Sequence, residues 1–136
     1  MGQQGKLAGK VAIVTGAGSS GPGLGTGKAM SVLFAREGAR VVLVDKFTDR
    51  AAETLAMIEA EGGEAIVVPA DLADLASAPA IVADATTAFG GVDILVNNAA
   101  VAPSTGILNT SVELYAEVLA VNLTAPFCCR RRRSPR

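Results

Sequence analysis

Short apolar runs alternate along the chain with longer segments in which apolar residues recur every three or four positions. That alternation marks strand, crossover helix and parallel strand in repetition. Val11-Ala12-Ile13-Val14 is a continuous, branched-rich run closing on Thr15-Gly16, as expected of a strand buried on both faces. Beyond a glycine-rich stretch, Ala29, Met30, Leu33 and Phe34 form a helical stripe that stops at Gly38. Val41-Val42-Leu43-Val44 reads as the second strand, closed by Asp45. Thr48 is the expected N-cap of a helix running through Glu61, with Gly62-Gly63 ending it. Ile66-Val67-Val68 is the third strand, followed by Asp71. Ser77 is expected to cap the next helix, Pro79 falls in its first turn, and Gly90-Gly91 stops it after Phe89. Ile94-Leu95-Val96 is the fourth strand, closing on Asn97-Asn98. A loop with Pro103 and Gly106 leads to Thr110-Ser111-Val112-Glu113, a capping-box pattern, and to a last helix ending at about Leu123. Tyr115 reads as an apolar anchor of that helix.

Composition narrows the chemistry. With 136 residues, 50% hydrophobic and 18% charged, the chain is one soluble domain at most. It contains no histidine, which removes zinc-hydrolase, Ser-His-Asp and histidine-relay mechanisms. The net charge of −1 hides an uneven distribution, because residues 1–129 carry seven basic and thirteen acidic groups while Arg130, Arg131, Arg132, Arg133 and Arg136 crowd the end. An acidic body is a poor nucleic-acid surface. The two cysteines, Cys128 and Cys129, are neighbours, and neighbours rarely reach disulfide geometry, so a reducing, cytoplasmic setting is expected. Met1 to Lys10 has no apolar core of signal-peptide length and no run approaches eighteen consecutive apolar residues, so neither export nor a membrane span is expected.

The segment Thr15 to Gly27 reads TGAGSSGPGLGTG, directly after a strand and before a helix. Glycines there let backbone N–H groups approach a pyrophosphate, and the helix N-terminus adds partial positive charge. Two registers fit: Gly16, Gly18 and Gly21 as G-x-G-x-x-G, and Gly21, Gly25 and Gly27 as G-x-x-x-G-x-G. Asp45, at the end of the second strand, can accept both adenosine-ribose hydroxyls and would repel a 2'-phosphate, which favours NAD over NADP. A P-loop hydrolase does not fit. Its first glycine would fall on Pro22, and Ala29 stands where a magnesium-binding Ser or Thr is needed.

Asn97-Asn98-Ala99-Ala100 after the fourth strand, taken with the glycine loop, makes the chain resemble the short-chain dehydrogenase/reductase family. The resemblance covers roughly residues 8–127. It implies a Rossmann-type, doubly wound α/β fold in three αβα layers, with strand order 3-2-1-4 over this stretch. It further implies that Gly16, Ser19, Gly25, Thr26 and Gly27 of the loop, Asp45, Asp71 with Leu72 at the adenine, and Asn98 with Ala99 at the central strands hold a nicotinamide dinucleotide. Val121-Asn122-Leu123 is similar to the family's V-N element, whose Asn helps hold a water of the proton relay, so Asn122 is the one catalytic candidate. The loop departs from the family by about five extra residues near Ser20 to Leu24. These could lie over the pyrophosphate, or bulge away and leave Gly16, Gly25 and Gly27 in the usual roles; the second is preferred because the helical stripe follows Gly27 at once.

The family's chemistry also needs a Tyr acid/base, a Lys four residues later and a Ser. Tyr115 is followed four positions on by Leu119 and precedes Asn122, while Ser104 and Ser111 read as loop and cap residues. An apolar helix that turns abruptly into four arginines reads as a shifted reading frame or a truncated prediction, with residues 1–127 a partial domain and 128–136 a basic, disordered tail. Three functions follow as expectations: the NAD-binding portion of an alcohol/ketone oxidoreductase whose intact relatives form homo-oligomers, a non-catalytic dinucleotide-binding or interaction module, and a polyanion binder acting through the tail. The fourth strand and the helix bearing Leu114, Val118 and Val121 are expected to leave apolar surface open, giving a marginal or self-associating chain.

Overall fold

The uninterrupted apolar runs are buried because helices cover the sheet on both sides. In the computed structural model, which describes residues 5–132, strands β1 (Val11–Thr15), β2 (Arg40–Asp45), β3 (Ala65–Pro69) and β4 (Ile94–Val96) form one parallel sheet in the order β3-β2-β1-β4. The register sets Ile13 against Val42 and Leu95, and Val44 against Val68. Alternate residues of each strand serve opposite layers. Val14, Val41 and Leu43 pack with Val32 and Ile58 of helices α1 (Thr26–Arg36) and α2 (Thr48–Ala60). Val11, Ile13, Val42 and Val44 pack with Ile81 and Phe89 of α3 (Ser77–Phe89) and with Ala125 and Cys129 of α5 (Ala125–Arg132). This is the Rossmann-type, three-layer architecture that the alternation predicts.

Local chemistry fixes the ends of the elements. Gly38 (φ +88°) and Gly62 (φ +77°) stop α1 and α2 by one device, a left-handed residue that lets the next amides reach back to carbonyls of the last turn: Ala39 N donates to Phe34 O, and Gly63 N to Ile58 O. The starts differ from expectation by one residue. Thr48 and Ser77 are the first residues of their helices, preceded by Phe47 and Ala76 at the cap positions. The carboxylates of Asp45 and Asp74 accept from the amides of Phe47 (2.9 Å) and Ala76 (3.0 Å), replacing side-chain caps. Ser111, not Thr110, caps α4 (Val112–Leu119), accepting from Leu114 N at 3.1 Å.

The last helix is longer than its sequence suggests. A π-turn over Ala120–Thr124 joins α4 to α5, and helix continues through Pro126 to Arg132. Proline in a regular helix crowds the carbonyl four residues back and leaves an amide bond unmade; the wider turn directly before Pro126 relaxes that register, so the expected stop near Leu123 does not occur. Cys128 and Cys129 therefore lie in α5, with Cys129 in the core and its thiol pKa pushed up by burial and by its neighbour Cys128. The tail expected from residue 128 is thus helical as far as Arg132, and residues 133–136 lie outside the described residues. Val112–Arg130 is long and apolar enough to cross a membrane by length and composition alone, but Val121, Ala125 and Cys129 commit one side of it to the domain core. Leu114 and Val118 are half-buried on the inner side, and the apolar surface this helix leaves open is carried by Val112, Leu119, Leu123 and Phe127. Tyr115, expected as an anchor, is 58% exposed.

Carboxylates clamp the helices to one another at the surface. Glu61 accepts from Arg36 Nε and Nη2 at 2.6 Å each, and Glu53 from Lys28 at 2.8 Å. These bonds hold both glutamates below the ordinary value of 4.5. Their contribution is present above that value and is lost as pH falls through the lowered folded-state pKa. A series of thermal melts from about pH 6 to about pH 3 is expected to show stability falling with acid, and falling less steeply in Glu61→Gln.

Candidate functional site

All four strands end, at their C-terminal edges, on a single cleft of about 330 Å³. It lies where β1 and β4 diverge from the β2 side, the position at which open α/β sheets bind ligands. The floor is a close crossing of backbones. Gly16 has φ +66°, and a Cβ there would stand 3.0 Å from Ala99 Cα and from the Asn98 amide nitrogen. A Cβ on Gly27 would lie 1.9 Å from the Gly16 carbonyl oxygen. Neither position has room for a side chain.

Thr15 and Asn98 lock this crossing. Asn98 Nδ2 donates to Thr15 O (3.0 Å) and Gly16 O (3.1 Å), while Thr15 Oγ1 accepts from the amides of Asn98 (3.0 Å) and Ala99 (3.1 Å). Carbonyls freed at the end of β1 are thereby satisfied, and β4 is fastened to β1 beyond its last ladder bond.

Asp45 forms the opposite wall. Oδ2 accepts from Gly18 N (2.9 Å) and Oδ1 from Phe47 N (2.9 Å), so the carboxylate ties the glycine loop to the start of α2. An ionised carboxylate has about four acceptor positions, so two remain. Lys46 and Arg50 line the same wall, with the Arg50 guanidinium 4.1 Å and the Lys46 ammonium 5.3 Å from the centre of the Phe47 ring. Of the extra loop residues, Ser20 lines the cleft while the rest bulge outward: Gly21 and Gly23 face open space and Leu24 is 64% exposed, and Ser19 and Gly25 face one another at the cleft rim.

Of the residues expected from the sequence, Gly16, Ser19, Gly25, Asp45, Asp71, Leu72, Asn98 and Ala99 line the cleft. Thr26 and Gly27 do not; they open α1, and Gly27 is buried beneath Gly16. Asn122 also stands off. Its amide donates to Val101 O and accepts from Val101 N, both at 2.8 Å, and so holds Val101 in the cleft wall. Gly18, expected only in the G-x-G-x-x-G register of the loop, lines the cleft too, and Thr15, Lys46, Phe47, Arg50 and Val101 were not expected. Thr15 could have been inferred from its place at the strand end beside a glycine; the basic pair carried no signal, because its direction depends on how α2 leaves Asp45.

Gly27→Ala forces the Gly16–Gly27 crossing apart and is expected to cost about 1–3 kcal/mol of stability. Asn98→Ala leaves two carbonyls without their donor, with a loss of about 1–3 kcal/mol. Urea unfolding of each variant measures these losses.

Comparison with known proteins follows the same lines. The sequence profile of the short chain dehydrogenases matches residues 10–136. An uncharacterized oxidoreductase of Thermotoga maritima is 41% identical over 119 residues, 88% of this chain and 45% of its own. The crystal structure of a short-chain dehydrogenase/reductase from Burkholderia xenovorans superposes with a TM-score of 0.89 at 41% identity, covering 95% of this chain and 51% of that one. A metagenomic short-chain oxidoreductase crystallised with NADP gives 0.85 at 33% identity, covering 93% and 56%. The chain spans about half the length of the curated relatives it matches. From its sheet order, its glycine crossing and these matches together, the chain belongs to the short chain dehydrogenase family.

Proposed function

We propose that this chain is the dinucleotide-holding part of an NAD-dependent oxidoreductase acting on an alcohol or ketone, and that its 136 residues bind the cofactor without turning over substrate. The observation that carries the reading is the side-chain-free crossing of Gly16 and Gly27 beneath a cleft that has Asp45 on one wall and the start of α1 at its rim. Bare backbone there admits a pyrophosphate, and the first amides of α1 favour its charge. The fit extends to both ends of a dinucleotide. The two open acceptor positions of Asp45 suit a ribose diol, Asp71 and Leu72 line the cleft beyond β3, where the adenine would lie, and Ala99 to Val101 form the wall on the β4 side.

Bound there, a nicotinamide would supply or accept the hydride. The chain's own contribution is positional: Asn98 keeps the floor closed, Asp45 fixes the loop, and Asn122 fixes Val101, its role in a proton relay being part of the proposal. Proton transfer to the substrate oxygen needs an acid/base. The sole tyrosine, Tyr115, lacks a lysine four residues on, which is why binding without turnover is proposed. A cytoplasmic setting belongs to the same reading, supported by two free thiols.

A second cofactor reading rests on Lys46 and Arg50, whose two positive charges on the Asp45 wall could offset its repulsion of a 2'-phosphate. Calorimetric titration separates the readings. NADH is expected to bind saturably and Asp45→Ala to weaken it by about tenfold or more, as befits loss of a charged hydrogen-bond acceptor. Tighter binding of NADPH than of NADH, unaffected or improved by Asp45→Ala, would replace NAD by NADP. A folded chain that binds neither would overturn the proposal.

A further inference from the structure

The glycine loop has two fixed feet and a slack middle. One foot is Gly18, whose amide donates to Asp45 Oδ2 at 2.9 Å; the other is Gly25, whose carbonyl accepts from Ala29 N at 2.9 Å in the first turn of α1. Between the feet, a single hydrogen bond restrains Ser20 to Leu24, from Ser19 Oγ to Gly21 O at 2.9 Å. Among the described residues, the amides of Ser20, Gly21, Gly23 and Leu24 meet no acceptor. A Cβ on Gly21 or Gly23 would have nothing within 4 Å, and Gly23 holds φ +103°. A segment with so few bonds to the body sits at the low end of local stability.

The extra residues are not needed to build the floor of the cleft. A Cβ on Gly25 would lie 3.2 Å from Ser19 Oγ and 3.5 Å from Ser19 Cα, so the two ends of the insertion already meet. Consecutive Cα atoms stand about 3.8 Å apart, and Ser19 can therefore run directly into Gly25. What the insertion adds is two side chains at the cleft mouth. Ser20 lines the cleft with a hydroxyl that no residue engages, and Leu24, beside the rim residue Gly25, is 64% exposed.

We propose that Ser20 to Leu24 form a strap that closes over the bound dinucleotide and slows its release. The inference rests on the reading of the cleft as a dinucleotide site. A ligand draws a segment inward only by binding the closed form more tightly than the open one, and the strap offers two such gains. Its four unpaired amides and the Ser20 hydroxyl can donate to phosphate oxygens. Turning inward also takes Leu24 out of water. Gly21 and Gly23 permit the swing without a clash, and Pro22 between them keeps the tip stiff.

Stopped-flow displacement of bound NADH tests this, followed by the fluorescence of the nucleotide, since the chain has no tryptophan. Wild type is compared with a deletion of Ser20 to Leu24 and with Leu24→Ser. The deletion leaves Gly16-Ala17-Gly18-Ser19-Gly25-Thr26-Gly27 and keeps every residue of the floor. Release is expected to quicken by about tenfold or more in the deletion and about threefold in Leu24→Ser. In wild type, NADH is expected to slow hydrogen exchange at the amides of Ser20, Gly21, Gly23 and Leu24. Where the deletion does not fold, Leu24→Ser, at an exposed position, gives the same reading. Wild type that binds NADH with unchanged exchange at these amides, or releases it no more slowly than the variants, overturns the strap and leaves the cofactor reading standing. A deletion that binds where wild type does not also overturns it, because the extra residues then obstruct the site. Wild type and deletion both folded by circular dichroism and both without binding overturn the cofactor reading itself, and the strap with it.

Discussion

The carbonyl oxygen of Gly16 occupies the place where a Cβ on Gly27 would sit, and the Asn98 side-chain nitrogen that donates to that same carbonyl crowds the same place, at 2.6 Å. Three segments distant in sequence are thereby brought to one point: the end of β1, the start of α1 and the end of β4. Close packing has no slack for even one methyl group at such a crossing, so the approach of the backbones decides where the sheet opens and where the cleft lies. Thr15 adds the complementary restraint, since its hydroxyl accepts two amides of the β4 exit and donates to Val96 O at 3.3 Å. The floor of the site is therefore a hydrogen-bonded knot of main chain in which side chains serve only to close it.

The wall of the cleft is organised by charge. Asp45 holds two amides from different segments, the glycine loop and the α2 start, so the residue that would read a ribose also sets the path of the loop over it. The loop's extra length is accommodated by an outward bulge in which Gly21 and Gly23 have open space where a side chain would stand, pinned by Ser19 Oγ donating to Gly21 O at 2.9 Å, which leaves Ser19 and Gly25 facing each other at the rim. Thr54 reinforces the arrangement from below, donating to Ala17 O at 2.8 Å from a fully buried position in α2. The bonds of Asp45 and Thr54 cross from one element to another, which is how a flexible composition yields a loop fixed at its base.

The terminal helix joins this site to the molecule's outer surface. The π-turn that lets the chain pass Pro126 also presents Asn122 to the backbone of Val101, and hence steadies one side of the cleft. By continuing to Arg132, the helix buries Cys129 against α3 and at the same time exposes Leu123 and Phe127 on its other side. Packing inward and exposure outward are two consequences of one helix that is apolar on two sides.

Four strands, three crossover helices and their order were legible in the sequence because parallel strands buried on both faces read as unbroken apolar runs, as Val41 to Val44 do, and glycines after α1 and α2 mark left-handed stops. Asp45, Asn98 and the glycine loop were legible because their chemistry depends on strand ends, which such runs locate. The helix beyond Leu123 was not. Pro126 and the arginines argue locally for a stop, and only contacts of Ala125 and Cys129 with α3, distant in sequence, make continuation favourable. In the same way the sequence marks Gly27 as part of the loop, but its burial under Gly16 depends on the angle at which α1 leaves the sheet. Lys46 and Arg50 reach the cleft wall through the turn that Asp45 imposes on Phe47. Periodicity and turn chemistry act between near neighbours and are written in the chain; rotation about a helix axis and the meeting of separate loops are set by packing across the whole sheet, and the tertiary structure alone decides them.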